Sequence, residues 1–124
     1  MVFFEIDLKS RTPIYEQIYK KTVELIIKGE LKENDQMPSV RALSAEISVN
    51  PNTITKAYAL LEKDGIIYSL SGRGSFVAKV ELEKVADFLL ADFDRCALDA
   101  LESGISPSIL VDRINTLSKK TDIT

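Results

Sequence analysis

The chain has 124 residues, of which 45% are hydrophobic and 28% charged, and its formal net charge is −3. That length excludes a two-domain cofactor enzyme, and we expect neither a secretory signal nor a membrane span because no apolar run approaches about 18 residues. The lack of histidine excludes Ser-His-Asp catalysis and histidine-based metal sites, so no metal or cofactor is expected, and the lone Cys96 fits a reducing cytoplasm.

An N-terminal arm and one helix are the first predicted elements. Apolar and charged residues alternate from Phe4 to Lys9, and this period of two predicts a short strand or an extended arm. Thr12 is expected to cap the first helix, with Pro13 at its first helical position. Gly29 follows the apolar stripe of this helix and is a typical C-terminal stop.

Two further helices follow at helix-turn-helix spacing. Ser39 is expected to cap a short helix that runs to about Ile47. Asn50 and Pro51 then give the clearest helix start in the chain, and Gly65 ends that helix. A connection of about three or four residues between two helices is typical of the helix-turn-helix motif.

The rest of the sequence predicts a hairpin and two more helices. Residues 66–70 and 75–78 are two β-prone runs around a glycine-rich turn, which indicates a hairpin. Apolar residues then recur every three to four positions over 82–101, and a last helix starts at Pro107. The predicted fold is mainly α with a small β-hairpin wing: a winged helix-turn-helix domain followed by a two-helix tail.

The excess of acidic over basic residues lies in the tail. Residues 1–80 carry 11 Lys and Arg against 10 Asp and Glu, net +1, whereas residues 81–124 carry 5 against 9, net −4. Glu46 is the only acid between Gln36 and Leu61, so the helix-turn-helix is locally neutral to basic. The tail carboxylates fit the solvated faces of amphipathic helices better than they fit a cation site.

The third helix is expected to be the recognition helix, because its N-terminal residues are of types that read base edges or contact phosphate. Several of these residues also have a purely structural interpretation, in which Asn50 only caps the helix and Lys56 is solvated surface. Arg41 of the second helix is either a phosphate contact or an ion-pair partner of Glu46 or Glu62. The candidates around this helix are Asn50, Asn52, Thr53, Thr55 and Lys56.

Four motifs resemble the winged-helix domain of the GntR family of bacterial transcriptional regulators over about residues 10–78. They are PIYEQI at 13–18, MPSVR at 37–41, VNPNTI at 49–54 and GRGSFV at 72–77. The short tail and the Asn-Pro-Asn-Thr helix start are similar to the small YtrA-like branch. Members of that branch carry two C-terminal dimerisation helices and often control transport operons.

The resemblance implies a double-stranded DNA partner and further contacts in the second helix and the wing. Many relatives have arginine at the position of Pro51, and some at the position of Thr55, so guanine readout by arginine should be weaker here. We expect no separate effector domain, so a small-molecule effector, if one exists, would have to use the dimer interface or the groove between tail and head. The implied additional contacts are Ser39, Arg41, Gly72, Arg73 and Gly74.

The apolar stripe of the fourth helix predicts a homodimer, since it would otherwise be a large exposed patch. The last helix is expected to fold back over part of it, and packing against the first helix is the alternative. We expect residues 1–79, with an arm over 1–11, to bind DNA and residues 80–124 to dimerise. The predicted interface is Leu82, Val85, Phe88, Leu89, Phe93, Cys96, Ala97 and Ala100.

The sequence therefore predicts a homodimeric, sequence-specific DNA-binding regulator, most simply a repressor that occupies a pseudo-palindromic promoter site. The alternative is a winged helix used as a protein-interaction module without DNA binding, which the shortage of acids around the third helix and the wing argues against. An enzyme is not expected, because no activated nucleophile, carboxylate pair or phosphate loop occurs at usable spacing.

Overall fold

The computed structural model describes residues 4–121, apart from the side chains of Leu82 and Phe88. The chain divides into two compact units, one up to Phe88 and one from Leu89, and the division falls within a helix. The predicted mainly helical fold with a hairpin is confirmed. Its elements are α1 (Ile14–Ile27), α2 (Val40–Ile47), α3 (Pro51–Lys63), β1 (Ile67–Leu70), β2 (Gly74–Val77), α4 (Leu82–Glu102) and α5 (Pro107–Lys120).

The predicted caps of α2 and α3 are confirmed. The Ser39 Oγ accepts a 3.0 Å hydrogen bond from the Ala42 N–H at the start of α2. The Asn50 Oδ1 accepts a 2.8 Å hydrogen bond from the Asn52 N–H at the start of α3. Ser48, the residue directly after α2, adopts the left-handed conformation with φ 55°, and the helix ends there. The helix-turn-helix is thus defined by local side-chain chemistry.

The predicted start of α1 is wrong by one residue. Pro13 itself is the N-cap, in an extended conformation and without a side-chain cap, and Ile14 is the first helical residue. The Pro13 carbonyl accepts hydrogen bonds from the N–H groups of Glu16 and Gln17. Proline disfavours the helical region for the residue before it, so Thr12 lies outside the helix and does not cap it.

Of the two alternatives predicted for the N-terminus, the structure shows an arm: residues 4–11 form no strand and are irregular. Phe4 is buried, and the Gln17 side chain of α1 holds the arm. Gln17 Oε1 accepts from the Asp7 N–H at 2.9 Å, and its Nε2 donates to the Asp7 carbonyl at 3.0 Å. These two bonds satisfy the Asp7 backbone without a neighbouring strand, which alternating polarity alone cannot reveal.

The core of the first unit lies between α1, α2, α3 and the hairpin. Thr22 is the one buried polar residue among those the structure describes. Its Oγ1 donates to the Ile18 carbonyl at 2.9 Å, so its hydroxyl is satisfied within the helix. At the end of α3, the Tyr19 hydroxyl donates to a carboxylate oxygen of Asp64. The largest fully buried apolar side chains are Ile18, Val23, Leu43, Ile54, Leu61 and Val77.

The connection between α1 and α2 is partly buried and forms an edge of the wing. Leu31 and Met37 are buried, which fixes the connection to the core. Residues 34–37 run beside β2, where the Met37 N–H donates to the Ser75 carbonyl and the Val77 N–H donates to the Asp35 carbonyl, both at 2.8 Å. The wing is therefore hydrogen-bonded directly to the segment that leads into α2.

The second unit contains most of α4 and all of α5. No side chain of α5 is buried, and Ile114 and Leu117 remain 44% and 50% exposed. The prediction that α5 folds back to cover the α4 stripe is therefore wrong, since such packing would have buried one face of α5. Among residues 4–121, no helix is long and apolar enough to cross a membrane.

Candidate nucleic-acid interface

The first turns of α3 separate into a buried face and an exposed polar face. Ile54, Ala57 and Tyr58 are buried at helical spacing and fix the orientation of the helix. Asn52 and Thr55 are exposed on the other side. The helix therefore presents hydrogen-bonding side chains to solvent from a rigid base, which is the arrangement that reading a DNA groove requires.

The two capping side chains keep hydrogen-bond donors beyond those the caps use. Asn50 accepts through Oδ1, so its amide hydrogens are not needed for the cap. Ser39 accepts through Oγ, and its hydroxyl proton is similarly left for another acceptor. Both residues are exposed at helix N-termini, where unpaired N–H groups and the helix dipole favour phosphate.

The two basic residues of the helix-turn-helix have different surroundings. The Lys56 ammonium lies 4.0 Å from the ring centroid of Tyr15, a cation–π contact that ties α3 to α1. Arg41 is exposed, and it forms no ion pair with Glu46 or Glu62 in the described part of the chain. Its guanidinium is thus available for phosphate, whereas Lys56 already has an intramolecular partner.

The wing carries Arg73 on an exposed tip. Gly72 and Gly74 have φ of 76° and 103°, which side-chain-bearing residues rarely adopt, so the turn itself requires both glycines. The Gln36 Nε2 donates to the Arg73 carbonyl at 3.0 Å. Nothing in the sequence motifs predicted a role for Gln36, because its partner lies 37 positions away along the chain.

Tyr58 joins α3 to the start of α2, a contact that the spacing of apolar residues along α3 does not predict. Its hydroxyl donates to the Pro38 carbonyl at 2.7 Å, one residue before the α2 cap. Burial raises the pKa of the Tyr58 hydroxyl well above the ordinary tyrosine value, so the hydroxyl keeps its donor proton in alkaline solution as well. This bond joins the middle of α3 to the segment that leads into α2.

The predicted dimerisation residues do not form one uniform surface. Val85 is buried within the first unit, 5% exposed, and its own chain therefore already covers it. Phe93 and Cys96 are exposed, while Leu89, Ala97 and Ala100 are partly exposed. The side chains of Leu82 and Phe88 lie outside the described part of the structure. The last helix, α5, also exposes large apolar residues, none of which was included in the predicted interface: Ile109, Val111, Ile114 and Leu117.

Two helices with capped N-termini, a left-handed residue in the turn and a hairpin with an exposed arginine define a winged helix-turn-helix DNA-binding head. No group of acidic or cysteine side chains among residues 4–121 is arranged to hold a metal ion.

Residues 14–77, just over half of the chain, match the family described as bacterial regulatory proteins, gntR family. The chain therefore belongs to the GntR family of DNA-binding transcription regulators. It is 51% identical over 75 residues to the HTH-type transcriptional repressor YtrA of Bacillus subtilis (strain 168). That alignment covers 60% of this chain and 58% of the relative's length.

Two solved structures are also similar. YtrA from Sulfolobus acidocaldarius, a GntR-family transcription factor, matches with a TM-score of 0.60 and 38% identity over 72% of this chain and 94% of that one. AraR(DBD) in complex with operator ORX1 matches with a TM-score of 0.56 and 28% identity over 60% of this chain and 96% of that one. The family and these relatives are regulators rather than enzymes.

Proposed function

We propose that the chain is a homodimeric repressor that binds a specific site on double-stranded DNA. The observation that carries this proposal is that α3 exposes polar side chains at its start while its buried face fixes it to the head. The same head exposes Arg73 and Arg41, and Arg41 has no ion pair among the described residues. The similarity to AraR(DBD) bound to an operator supports DNA binding through this head. The similarity to a transcriptional repressor of Bacillus subtilis supports repression.

In this proposal, α3 enters the major groove and α2 lies across the phosphate backbone. Asn52, Thr53 and Thr55 read base edges, because amide and hydroxyl groups are the donors and acceptors that match adenine and thymine. Arg73 contacts phosphate or the minor groove. The remaining proposed contacts hold phosphates or position the backbone: Ser39, Arg41, Asn50, Lys56, Gly72 and Gly74.

We assign residues 1–79 to DNA binding and residues 80–124 to dimerisation. Several large apolar residues of α4 and α5 remain about half exposed, among them Phe93 at 46% and Leu117 at 50%. A second copy is the proposed cover for them, since a monomer rarely leaves a large apolar patch in water. Two heads related by a two-fold axis then read a pseudo-palindrome with half-sites about 34 Å apart.

The proposed biological setting follows from the resemblance to the YtrA-like branch. The protein acts in the cytoplasm, on the promoter of a transport operon, and blocks polymerase by occupying that promoter. It has no catalytic role and needs no cofactor. A small-molecule effector remains part of the proposal without an assigned site.

Selection from random duplex DNA by the purified protein tests this function. We expect enrichment of a pseudo-palindrome whose half-sites are about one helical turn apart. Asn52→Ala should relax the preference at one position in each half-site and cost about 1 to 3 kcal/mol there, because a base-edge contact is lost. Enrichment of no sequence at low salt would contradict the function, and an unchanged preference in the variant would contradict the role of Asn52.

A further inference from the structure

Apart from the strands of the hairpin, one side chain of the described residues bonds the tip of the wing to the rest of the head. The backbone ladder between residues 34–37 and β2 ends at the bond from Met37 to Ser75. Beyond it, the loop 71–73 receives a single hydrogen bond from outside the hairpin in the described chain, the 3.0 Å bond from Gln36 Nε2 to the Arg73 carbonyl. This bond holds the backbone of Arg73, and the side chain of the same residue is the proposed DNA contact.

The packing around this bond explains why glycine follows Arg73. A Cβ built on Gly74 would lie 3.1 Å from the Gln36 Nε2, closer than an ordinary contact. The absence of a side chain at Gly74 therefore leaves room for the Gln36 amide beneath the turn. Gly74, predicted as a DNA contact, has this intramolecular role in addition to its positive φ.

Gln36 also belongs to the segment that places α2. Met37 is buried, the Pro38 carbonyl accepts from Tyr58, and Ser39 caps the helix. A side chain on this segment that holds the Arg73 backbone fixes the wing tip relative to the start of α2. The distance between the proposed phosphate contacts of α2 and the proposed wing contact is then already set in the protein without DNA.

We infer that Gln36 is a positioning residue for DNA binding, which acts by holding Arg73 in place, and this inference rests on the proposed contact between Arg73 and DNA. If the tip were released, binding would have to immobilise it, and the affinity would fall by the entropy of that ordering. Gln36 is itself exposed, so its replacement leaves the buried core unchanged.

The test is a double-mutant cycle between Gln36→Met and Arg73→Ala, measured as affinity for the selected duplex. Methionine keeps the length of glutamine but cannot donate a hydrogen bond to the carbonyl. We expect Gln36→Met alone to weaken binding about three- to tenfold and to leave the affinity of the Arg73→Ala protein unchanged. The amide of Arg73 should show a lower NMR order parameter in the unbound Gln36→Met protein.

Each other outcome contradicts the inference in a distinct way. Wild-type affinity of Gln36→Met, with Arg73→Ala weakened, overturns the positioning role and leaves the proposed function intact. Equal losses in both backgrounds show that Gln36 acts independently of Arg73. Wild-type affinity of Arg73→Ala removes the proposed wing contact, and the positioning role with it.

Discussion

Phe93→Glu should convert the protein from a dimer to a monomer at micromolar concentration. Phe93 is 46% exposed near the middle of α4 in the single chain, and the proposed second copy covers it. Two-fold symmetry places the substitution at the interface twice. Each buried carboxylate without a partner makes the free energy of association less favourable by several kcal/mol. We expect the dimer dissociation constant to rise on the order of a thousandfold, about 4 kcal/mol, in sedimentation equilibrium.

Ala91→Glu is the matched control for this experiment. Ala91 is exposed on the same helix, two residues before Phe93, and therefore about 200° around the helix axis. The control adds the same charge on the side of α4 opposite Phe93, and we expect it to remain a dimer. Loss of dimerisation in both variants would show a general effect of charge on the tail, and a dimeric Phe93→Glu protein would contradict the proposed interface.

Replacing both Arg41 and Arg73 by alanine should weaken DNA binding on the order of a hundredfold at moderate salt, about 3 kcal/mol. Both side chains are exposed, so their removal affects binding rather than folding. Fewer counterions are released when fewer phosphates are neutralised, and the slope of log affinity against log salt should fall by about one per lost phosphate contact. Fluorescence anisotropy over a salt series measures both effects.

Lys119→Ala together with Lys120→Ala provides the charge-matched control. These lysines lie in the last turn of α5, and their removal changes the net charge of the protein by the same two units. The proposal expects wild-type affinity and an unchanged salt slope. An equal loss in both double variants would indicate that net charge, rather than contacts at the head, determines the affinity.

The sequence predicted the parts of the fold that depend on neighbouring residues. Ser39 and Asn50 cap their helices through bonds that span two or three residues, and the glycines of the wing adopt the backbone conformations that a tight turn needs. The GntR motifs fall on these same local features. This is why the order of elements and the class of head were accessible without a structure.

Contacts between distant residues were not accessible in the same way. Lys56 over Tyr15, Tyr58 with Pro38 and Gln36 with Arg73 each join separate elements, and their residue types are common on any protein surface. Periodicity does identify an apolar face of a helix, but it does not say what covers that face. For this reason Val85 was assigned to a dimer although its own chain buries it.

The stoichiometry of the complex with a selected duplex tests the central proposal most directly. The duplex carries two half-sites centred one helical turn apart, and sedimentation velocity gives the mass of the complex in dilute buffer. We expect two chains on each duplex and a mass of two chains for the protein alone. One chain on each duplex, or no retention of the duplex at low salt, would contradict a dimeric DNA-reading regulator.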